Sequence, residues 1–410
     1  MKAAILAITI ALSGFVLYWP NTATSSSAAF SQETGNQFVG STTCGTCHVD
    51  IYNRWKDTLM ANVLVDPSEN PEVVLGDFSA PDPLVTFSID DVAFTYGSKW
   101  KQRYFTLIGD DYFVFPAQWD VQNEMWRRYY VEPGGDWWVE HYPADQMQRP
   151  TGPLCDGCHS TNYNIETKQV TEWNVGCEKC HGAGSAHAGA PSPANIVNPA
   201  RLDHTRGVDV CIQCHSQGQP IENPVNEVYY DWPVGYEPGE RLIDYWKLEE
   251  HHLGEESFTH WPEGSAHKNR MQGNDFVASA MYTKGVACWS CHDVHGTENN
   301  ADLVKPANAV CLTCHGPNSP SGPRGTIEEH THHAVASEGS QCVSCHMPQI
   351  ARTVSDVSVR SHTFRFITPG MTEQYGVPNA CTSCHTEESN EWAMEELSRW
   401  ENVSPWRVSN

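Results

Sequence analysis

The cysteines of this chain constrain its fold more than any other feature, because all of them stand in one five-residue pattern. The pattern is C-x-x-C-H, and eight copies of it use sixteen cysteines. The 410-residue chain contains sixteen, so none remains for a disulfide or a catalytic thiolate. The copies, which we number motifs one to eight, span residues 44–48, 155–159, 177–181, 211–215, 288–292, 311–315, 342–346 and 381–385.

C-x-x-C-H is typical of covalent haem attachment, in which two thiols add to the porphyrin vinyl groups and the adjacent histidine binds the iron. A zinc site or a redox-active cysteine pair also uses C-x-x-C, but neither requires a histidine after every second cysteine. A disulfide scaffold fits a chain of this length poorly. The sequence therefore predicts eight haem c groups. The predicted thioether positions are Cys44, Cys47, Cys155, Cys158, Cys177, Cys180, Cys211, Cys214, Cys288, Cys291, Cys311, Cys314, Cys342, Cys345, Cys381 and Cys384. The predicted proximal iron ligands are His48, His159, His181, His215, His292, His315, His346 and His385.

The composition favours a fold in which cofactors replace much of the usual core. The chain is 40% hydrophobic and contains 30 glycines and 26 prolines, which is thin for a large aliphatic core. Because a porphyrin buries a large apolar surface, we expect sparse short helices and long loops wrapped around a haem chain. The net charge of −25 argues against nucleic acid, which needs basic patches. It favours basic redox partner proteins, or else it only solvates the surface.

The N-terminus predicts export. Lys2 precedes an apolar run from Ala3 to Trp19, and small residues then lead to Ser27-Ala28-Ala29. This order is typical of a secretory signal peptide over residues 1–29. The alternative is an uncleaved membrane anchor, since the run is nearly long enough to span a bilayer. Both place the haem-bearing part in the periplasm or outside the cell, and no second membrane segment is expected.

The spacing of the motifs predicts the organisation of the chain. Motifs two to four are separated by 22 and 34 residues and motifs five to seven by 23 and 31, which suggests a repeated three-haem module or a coincidence of short spacings. We expect a first haem segment at 30–66, a β-rich haem-free insert at 67–150, a three-haem module at 151–216, an acidic connector at 217–270, a four-haem module at 271–395 and a tail at 396–410.

Two local patterns predict regular structure. The segments LVTFSI, VAFTYG, QRYFTLI and DYFVFPAQW are rich in β-branched and aromatic residues, so we expect a small antiparallel sheet near residues 70–150. Its aromatic side chains should pack against the first haems, although a substrate-binding or docking role is an alternative. Near the C-terminus, Ala393, Leu397 and Trp400 recur at helical spacing, which predicts a short helix with these residues on its buried face.

Twelve of the twenty histidines lie outside the motifs, which is enough to give every iron a second ligand. His295 follows His292 by three residues, and so short a link cannot pass around a porphyrin, so His295 should bind a different haem. The same limit applies to His187, six residues after His181. The predicted distal ligands are first His295, His187 and His362, then one or two of His330, His332 and His333, then His267, His204 and His141. Met60 is a thioether candidate for motif one, or else a core residue.

The segment FVGSTTCGTCHVDIYNRWKDTLM resembles the opening motif of the cytochrome c-554-like multihaem cytochromes, in which a histidine usually stands where this chain has Met60. GVACWSCHDVHG, NAVCLTCHG and GSQCVSCHMP resemble the doubled C-x-x-C-H repeats of the same superfamily. The resemblance implies a multihaem cytochrome c fold, and it implies that His295, His187 and His362 occupy distal positions.

These observations favour an electron-transfer protein without catalytic residues of its own. The alternative is an octahaem oxidoreductase of the hydroxylamine, nitrite or tetrathionate type, which needs one iron with an exchangeable position. The nitrite and tetrathionate enzymes typically carry lysine in place of one motif histidine, whereas all eight motifs here end in histidine. A homo-oligomer or an extracellular cytochrome filament is a third hypothesis.

Overall fold

The computed structural model describes residues 35–131, 135–143, 149–299 and 301–401. The predicted signal peptide at 1–29 and the last nine residues of the predicted tail lie outside the described residues. From Asn36 onward the described residues form one compact unit. Among the helices of this part of the chain, none combines the length and apolar character that a membrane crossing requires.

The helices are short, and each C-x-x-C-H motif begins within a helical turn. A single turn places residues i and i+3 on one face, so it brings the two motif cysteines to the same side of the chain. The α-helices are α1 (Ser41–Gly45), α2 (Val49–Trp55), α3 (Gly157–His159), α4 (Cys177–His181), α5 (Ser185–Gly189), α6 (His204–Ile212), α7 (Gln272–Val277), α8 (Ala280–Thr283), α9 (Ala307–Leu312), α10 (Ile327–Thr331), α11 (Cys342–His346), α12 (Pro369–Tyr375), α13 (Ala380–Cys384) and α14 (Asn390–Ser398). A π-helical turn covers Gly152–Asp156, and 3₁₀ turns cover Met60–Asn62, Pro71–Val73, Ile89–Asp91, Trp137–Glu140, Pro199–Arg201, Leu242–Asp244, Cys288–Ser290 and Glu338–Ser340.

The strands form one antiparallel sheet and three two-stranded pairs. The sheet has the order β1-β2-β3-β5-β6, and β4 pairs with the far end of β3. The smaller pairs are β7 with β8, β9 with β10 and β11 with β12. The strands are β1 (Leu64–Val65), β2 (Phe94–Tyr96), β3 (Lys101–Ile108), β4 (Asp111–Val114), β5 (Ala117–Asp120), β6 (Met125–Arg128), β7 (Ser160–Thr161), β8 (Glu172–Trp173), β9 (Gly218–Pro220), β10 (Trp246–Leu248), β11 (Gln349–Val354) and β12 (Val357–Arg360).

The predicted antiparallel insert is confirmed, with one correction to its strands. The segment LVTFSI is not a strand: residues 84–88 are irregular and Ile89–Asp91 is a 3₁₀ turn. Ser88 and Asp91 form a capping box that starts this turn. The ring of Phe87 stacks on that of Phe115 with centroids 3.9 Å apart. The segment therefore covers the sheet with its side chains and adds no strand to it.

Aromatic side chains form the core of the sheet. Tyr104 and Trp126 are buried, and their rings pack at 5.4 Å between centroids. The Tyr104 hydroxyl donates to the Gln102 side-chain oxygen at 2.9 Å and accepts from the Gly76 amide at 3.0 Å. The Trp126 indole donates to the Asp77 carbonyl at 3.0 Å. These bonds satisfy the polar groups that the aromatic residues bring into the core.

Trp126→Ala should destabilise the haem-loaded protein by about 3–5 kcal/mol, because it leaves a cavity in the aromatic core. Leu107→Ala is the matched control, since Leu107 is 51% exposed on the neighbouring strand β3, and its effect should stay within about 0.5 kcal/mol. Denaturant unfolding followed by tryptophan fluorescence would measure both. Equal losses in the two variants would contradict the assignment of the core.

The predicted connector is irregular and densely packed. Strands β9 and β10 pair across it, and Trp232, Leu242, Trp246 and Trp261 are buried within it. The Trp246 indole donates to the Ser216 hydroxyl at 3.0 Å, which ties the segment to the end of motif four. The connector is thus part of the core between the motif-bearing segments.

The predicted C-terminal helix is confirmed as α14. Ala393 and Leu397 are 1% and 2% exposed on its inner face. Trp400 lies just beyond the helix end, and its ring stacks on His332 at 4.3 Å.

Candidate haem chain

A cavity of about 1970 Å³ runs through the protein, and the cysteines and histidines of motifs one to five line it. The side chains of motifs six to eight do not line this cavity. The exposed motif cysteines are Cys47 of motif one, Cys314 of motif six and Cys384 of motif eight. The first five motifs therefore line a common space, and motif one also reaches the surface.

Five motif histidines face a second histidine at nearly constant separation. Two imidazoles bound on opposite sides of one metal, with metal–nitrogen bonds of about 2.0–2.1 Å, have ring centroids roughly 6.3 Å apart. Rings that stack directly on each other have much closer centroids, such as those of His141 and Tyr229 at 3.6 Å. The pairs are His48–His187 at 6.2 Å, His181–His295 at 6.2 Å, His292–His362 at 6.5 Å, His346–His330 at 6.4 Å and His385–His333 at 6.1 Å. This spacing fits an iron atom between the rings.

Hydrogen bonds orient the rings of these pairs. The Nδ1 atom of His181 donates to the Val197 carbonyl at 2.7 Å, and that of His295 donates to the Asp293 carboxylate at 3.0 Å. Donation from Nδ1 leaves Nε2 unprotonated, which is the form that binds metals. Four further histidines of these pairs donate from Nδ1 to a backbone carbonyl. The acceptors are the carbonyl of Ser192 for His187 at 3.0 Å, of Ala301 for His292 at 2.8 Å, of Thr331 for His333 at 2.5 Å and of Arg360 for His362 at 3.2 Å.

The histidine that follows a motif faces a different motif. His295 faces His181 and not His292, and His187 faces His48 and not His181. This crossed arrangement is the one that the short sequence links require. Each such histidine joins two motif-bearing segments, so the backbone fixes how far apart the two motifs lie.

Contacts between cysteines of different motifs show which motifs are neighbours. Hydrogen bonding to Cys44 lowers the pKa of the Cys177 thiol to about 7, and hydrogen bonding to Cys311 does the same for Cys342. A thioether has no proton, so in the haem-bound protein these contacts indicate only proximity. The neighbouring cysteines are Cys44 and Cys177, Cys158 and Cys214, Cys180 and Cys211, Cys211 and Cys288, Cys291 and Cys314, Cys311 and Cys342, and Cys345 and Cys381. These neighbours place the motifs in space in the order one, three, four, five, six, seven and eight, which we call the line of motifs. Motif two lies beside motif four.

Three motif histidines, His159, His215 and His315, face no histidine ring among the described residues. Burial lowers the pKa of His215, and the Gln272 side chain lies beside it. His315 donates from Nδ1 to the Ser321 carbonyl at 2.9 Å in a partly exposed position.

His159 has a tyrosine on its coordinating side. The Tyr96 hydroxyl lies 2.6 Å from Nε2 of His159, and the rings are nearly perpendicular with centroids 4.8 Å apart. Burial lowers the pKa of His159 to about 3, so its imidazole is neutral. Burial also raises the pKa of Tyr96, so its phenol stays protonated. Sequence reasoning missed Tyr96, because nothing in its local pattern distinguishes it from the other aromatic strand residues.

The other predicted distal residues do not face a motif histidine. His187 faces His48, for which Met60 was a candidate ligand, and Met60 lies in a 3₁₀ turn that lines the cavity. The remaining four make other contacts: His332 stacks on Trp400 at 4.3 Å, His267 packs on Trp261 at 4.2 Å, His204 donates from Nε2 to the Val286 carbonyl at 2.8 Å, and His141 stacks on Tyr229.

The donor set fits haem iron better than zinc. Structural zinc takes four protein ligands, whereas the described residues contain no group of three or more Cys, His, Asp or Glu side chains placed to hold a metal. Haem iron needs only one or two protein ligands, because the porphyrin supplies the other four.

Comparisons with known proteins agree with this geometry. Residues 139–182 match the family of cytochrome c554 and c-prime, and residues 280–320 match the doubled CXXCH motif. The outer cell wall cytochrome OcwA superimposes with a TM-score of 0.71 at 23% identity, over 89% of this chain and 87% of OcwA. The chain has the fold of a multihaem c-type cytochrome.

Other multihaem cytochromes are more distant in sequence. An undecahaem cytochrome from the S-layer of Carboxydothermus ferrireducens superimposes on this multihaem cytochrome with a TM-score of 0.50 at 16% identity. The superposition covers 88% of this chain and 60% of the S-layer cytochrome. The dissimilatory sulfite reductase MccA of Wolinella succinogenes is 20% identical over 85% of this chain. The chain spans about half the length of that curated relative.

Proposed function

We propose that this multihaem cytochrome binds eight haem c groups and transfers electrons along them outside the cytoplasm. The observation that carries the proposal is the set of five histidine pairs whose separation leaves room for an iron atom. In each pair, a motif histidine faces a histidine that follows a different motif. Haem iron supplies the redox change. The protein supplies the attachment, the axial ligands and the fixed spacing between motifs.

The order of the motifs supports conduction between two ends. Motif one lies at one end of the line and motif eight at the other. Exposed apolar residues surround motif one, with Val49 52% exposed, Ile51 38% and Leu59 43%. We infer that redox partner proteins, basic ones in view of the acidic chain, exchange electrons at the exposed ends. Formation of a homo-oligomer or a filament stays a prediction.

An extracytoplasmic location is part of the proposal. Its support is the signal-like N-terminal sequence and the fold shared with cytochromes described as an outer cell wall and an S-layer protein. The mature chain would then begin close to residue 30.

Haem counting and spectroscopy of the purified mature protein test the proposal. Pyridine haemochrome analysis should give eight haems per chain. Near-infrared magnetic circular dichroism should show at least five of them as low-spin bis-histidine haems, because five pairs have the required spacing. Fewer than eight haems, or mostly histidine–methionine signals, would contradict it.

A second candidate function, that of an oxidoreductase, rests on His159. Motif two lies beside the line of the other motifs and not within it, and its histidine faces a hydroxyl where the five pairs have an imidazole. An iron about 2.0–2.1 Å from Nε2 of His159 would displace the Tyr96 hydroxyl, which lies 2.6 Å from that atom. The displaced hydroxyl would remain near the iron and would be available to donate to a ligand bound there. Motif two would then be the place where electrons leave the chain to a small molecule.

Tyr96→Phe tests this candidate. The ferric wild-type protein should show a high-spin iron by electron paramagnetic resonance, because a neutral, protonated phenol is a weak iron ligand. The variant should keep that signal but bind oxygen-containing ligands more weakly, since the hydrogen-bond donor is gone. A tyrosinate charge-transfer band that disappears in the variant would instead make Tyr96 the sixth ligand and close the site.

A further inference from the structure

The two residues between the cysteines of motif three carry opposite charges. Motif three reads CEKCH and forms α4, and Glu178 and Lys179 are its two middle residues. Both line the cavity that the first five motifs share. Their contacts lead in opposite directions: Glu178 contacts the segment that precedes motif one, and Lys179 contacts motif two.

The Glu178 carboxylate is buried and keeps an uncompensated negative charge. Glu178 is only 1% exposed. Its carboxylate accepts from the backbone amides of Val39 at 3.0 Å, Gly40 at 2.8 Å and Gly184 at 2.7 Å. Charge-assisted hydrogen bonds of this kind stabilise the ionised form of a carboxylate. No lysine or arginine of the described residues forms an ion pair with it, so its charge acts on whatever occupies the cavity.

A second carboxylate lies at the contact between motifs one and three. Glu172 of β8 accepts from the Ser41 hydroxyl at 2.7 Å, and Ser41 is the first residue of α1, the helix that carries Cys44. Hydrogen bonding to Cys177 and burial raise the pKa of the Cys44 thiol. The charges of Glu178 and Glu172 raise it further, which shows that both carboxylates lie close to this contact.

Lys179 places its charge on motif two. Its ammonium donates at 2.5 Å to the carbonyl of Gly157, which lies between the two cysteines of motif two. Burial lowers the pKa of His159 to about 3, and cations that include Arg270 and Lys179 lower it further. The carboxyl group inside motif two offsets only part of this charge, because burial raises the pKa of Asp156 to about 7.

Charges held near a haem change how readily its iron accepts an electron. Reduction makes the haem more negative by one unit, so a nearby anion disfavours the reduced form and a nearby cation favours it. The effect is large where burial excludes water and is then little screened by salt. Glu178 should therefore lower the reduction potential of the haem at motif three, and Lys179 should raise that of the haem at motif two.

We propose that Glu178 and Lys179 set a difference in reduction potential between motifs three and two, which directs electrons from the motif-one end toward motif two. The path passes through motif four, which neighbours both. Glu172 extends the same effect to motif one. The inference rests on the proposed function, because it needs a haem at each of these motifs. Both residues act through their charge and neither binds iron.

Spectroelectrochemical titration of the fully haem-loaded protein tests the proposal, with His295→Met as the parent. In this parent the haem at motif three has a methionine ligand and thus a methionine-to-iron charge-transfer band, which histidine-ligated haems lack. The band is present only in the ferric state, so its loss on reduction reports the potential of that haem alone.

Glu178→Gln should raise the potential of this reporter haem by about 59 mV, which corresponds to a tenfold change in its ferrous-to-ferric ratio. Lys179→Gln should lower the potential of one histidine-ligated haem by a similar amount and should move the reporter by less than half as much. Glu373→Gln is the matched control, because it removes one carboxylate from an exposed position on α12. All potentials should stay unchanged in it.

The outcomes separate this inference from the function on which it rests. Shifts of opposite sign on different haems, absent in Glu373→Gln, support it. If Lys179→Gln lowered the reporter as much as Glu178→Gln raised it, both charges would act on one haem and the inference would be wrong. Eight haems with no shift in either variant would overturn the inference alone, whereas fewer than eight haems in the parent would overturn the proposed function as well.

Haem counting and thermal melting of each variant separate an effect of charge from a loss of structure. If Glu178→Gln lost a haem because the segment before motif one came loose, Lys179→Gln would decide the matter. An unchanged set of potentials in Lys179→Gln would then overturn the inference, and one lowered potential with an unmoved reporter would support it.

Discussion

Serine at both Cys211 and Cys214 should divide the haem chain into two parts that no longer exchange electrons rapidly. Motif four is the junction of the line, because its cysteines lie next to Cys158, Cys180 and Cys288 of motifs two, three and five. Without the two thiols one haem is not attached, and the remaining connection between motif three and motif five is the polypeptide that carries His295. Haemochrome analysis should give seven haems where the wild type gives eight.

A photoreductant attached next to motif one would show how far rapid reduction travels along the haems. Val49→Cys places a free thiol in an exposed position directly after motif one, and a ruthenium sensitiser can be coupled there. After a light pulse, rapid reduction should reach all haems in the parent protein but only those of motifs one and three in the Cys211→Ser/Cys214→Ser variant.

The matched control removes a haem from the far end of the line. Cys381→Ser/Cys384→Ser also leaves seven haems, but rapid reduction should still reach all seven. If the two double variants behaved alike, the order of motifs inferred from the cysteine contacts would be wrong. The haem count and thermal stability of each variant separate a broken path from a misfolded chain.

His295→Ala should convert one low-spin haem into a high-spin haem without lowering the haem count. The His295 ring lies 6.2 Å from that of His181 and is oriented by Asp293, so its removal deprives the iron at motif three of its second axial ligand. Magnetic circular dichroism and electron paramagnetic resonance would count the change. His295→Met should keep that haem low-spin and raise its reduction potential, because methionine favours the reduced iron.

His204→Ala is the control for this prediction. His204 belongs to the same group of non-motif histidines, but its Nε2 donates to the Val286 carbonyl, so its loss should leave every spin state unchanged. A spin change in His204→Ala together with none in His295→Ala would contradict the crossed arrangement.

Much of the candidate site follows from the sequence because its chemistry is local. A C-x-x-C-H motif fits within one helical turn, so the two cysteines and the histidine need no distant residue to be recognised. The exclusion of His295 and His187 from their own motifs also follows from chain length alone. The terminal helix was predictable for the same reason, since Ala393 and Leu397 share one face of consecutive turns.

The second ligands illustrate where sequence reasoning ends. His330, His332 and His333 are nearly consecutive, and their order does not show which of them faces a motif. In the structure His332 adopts a left-handed backbone conformation with φ of 56° at the end of α10. This turn sends its ring toward Trp400, while His330 and His333 face motifs seven and eight.

The sequence by itself determined the number of attachment motifs, their cysteines and histidines, and the existence of a small antiparallel sheet. The tertiary structure alone decided that His187 and not Met60 faces His48, that Tyr96 faces His159, and that Lys268 and Arg352 meet at a β-bridge. These relations join segments far apart along the chain. They depend on how the motif-bearing segments pack around a common interior, and no spacing within one segment encodes that packing.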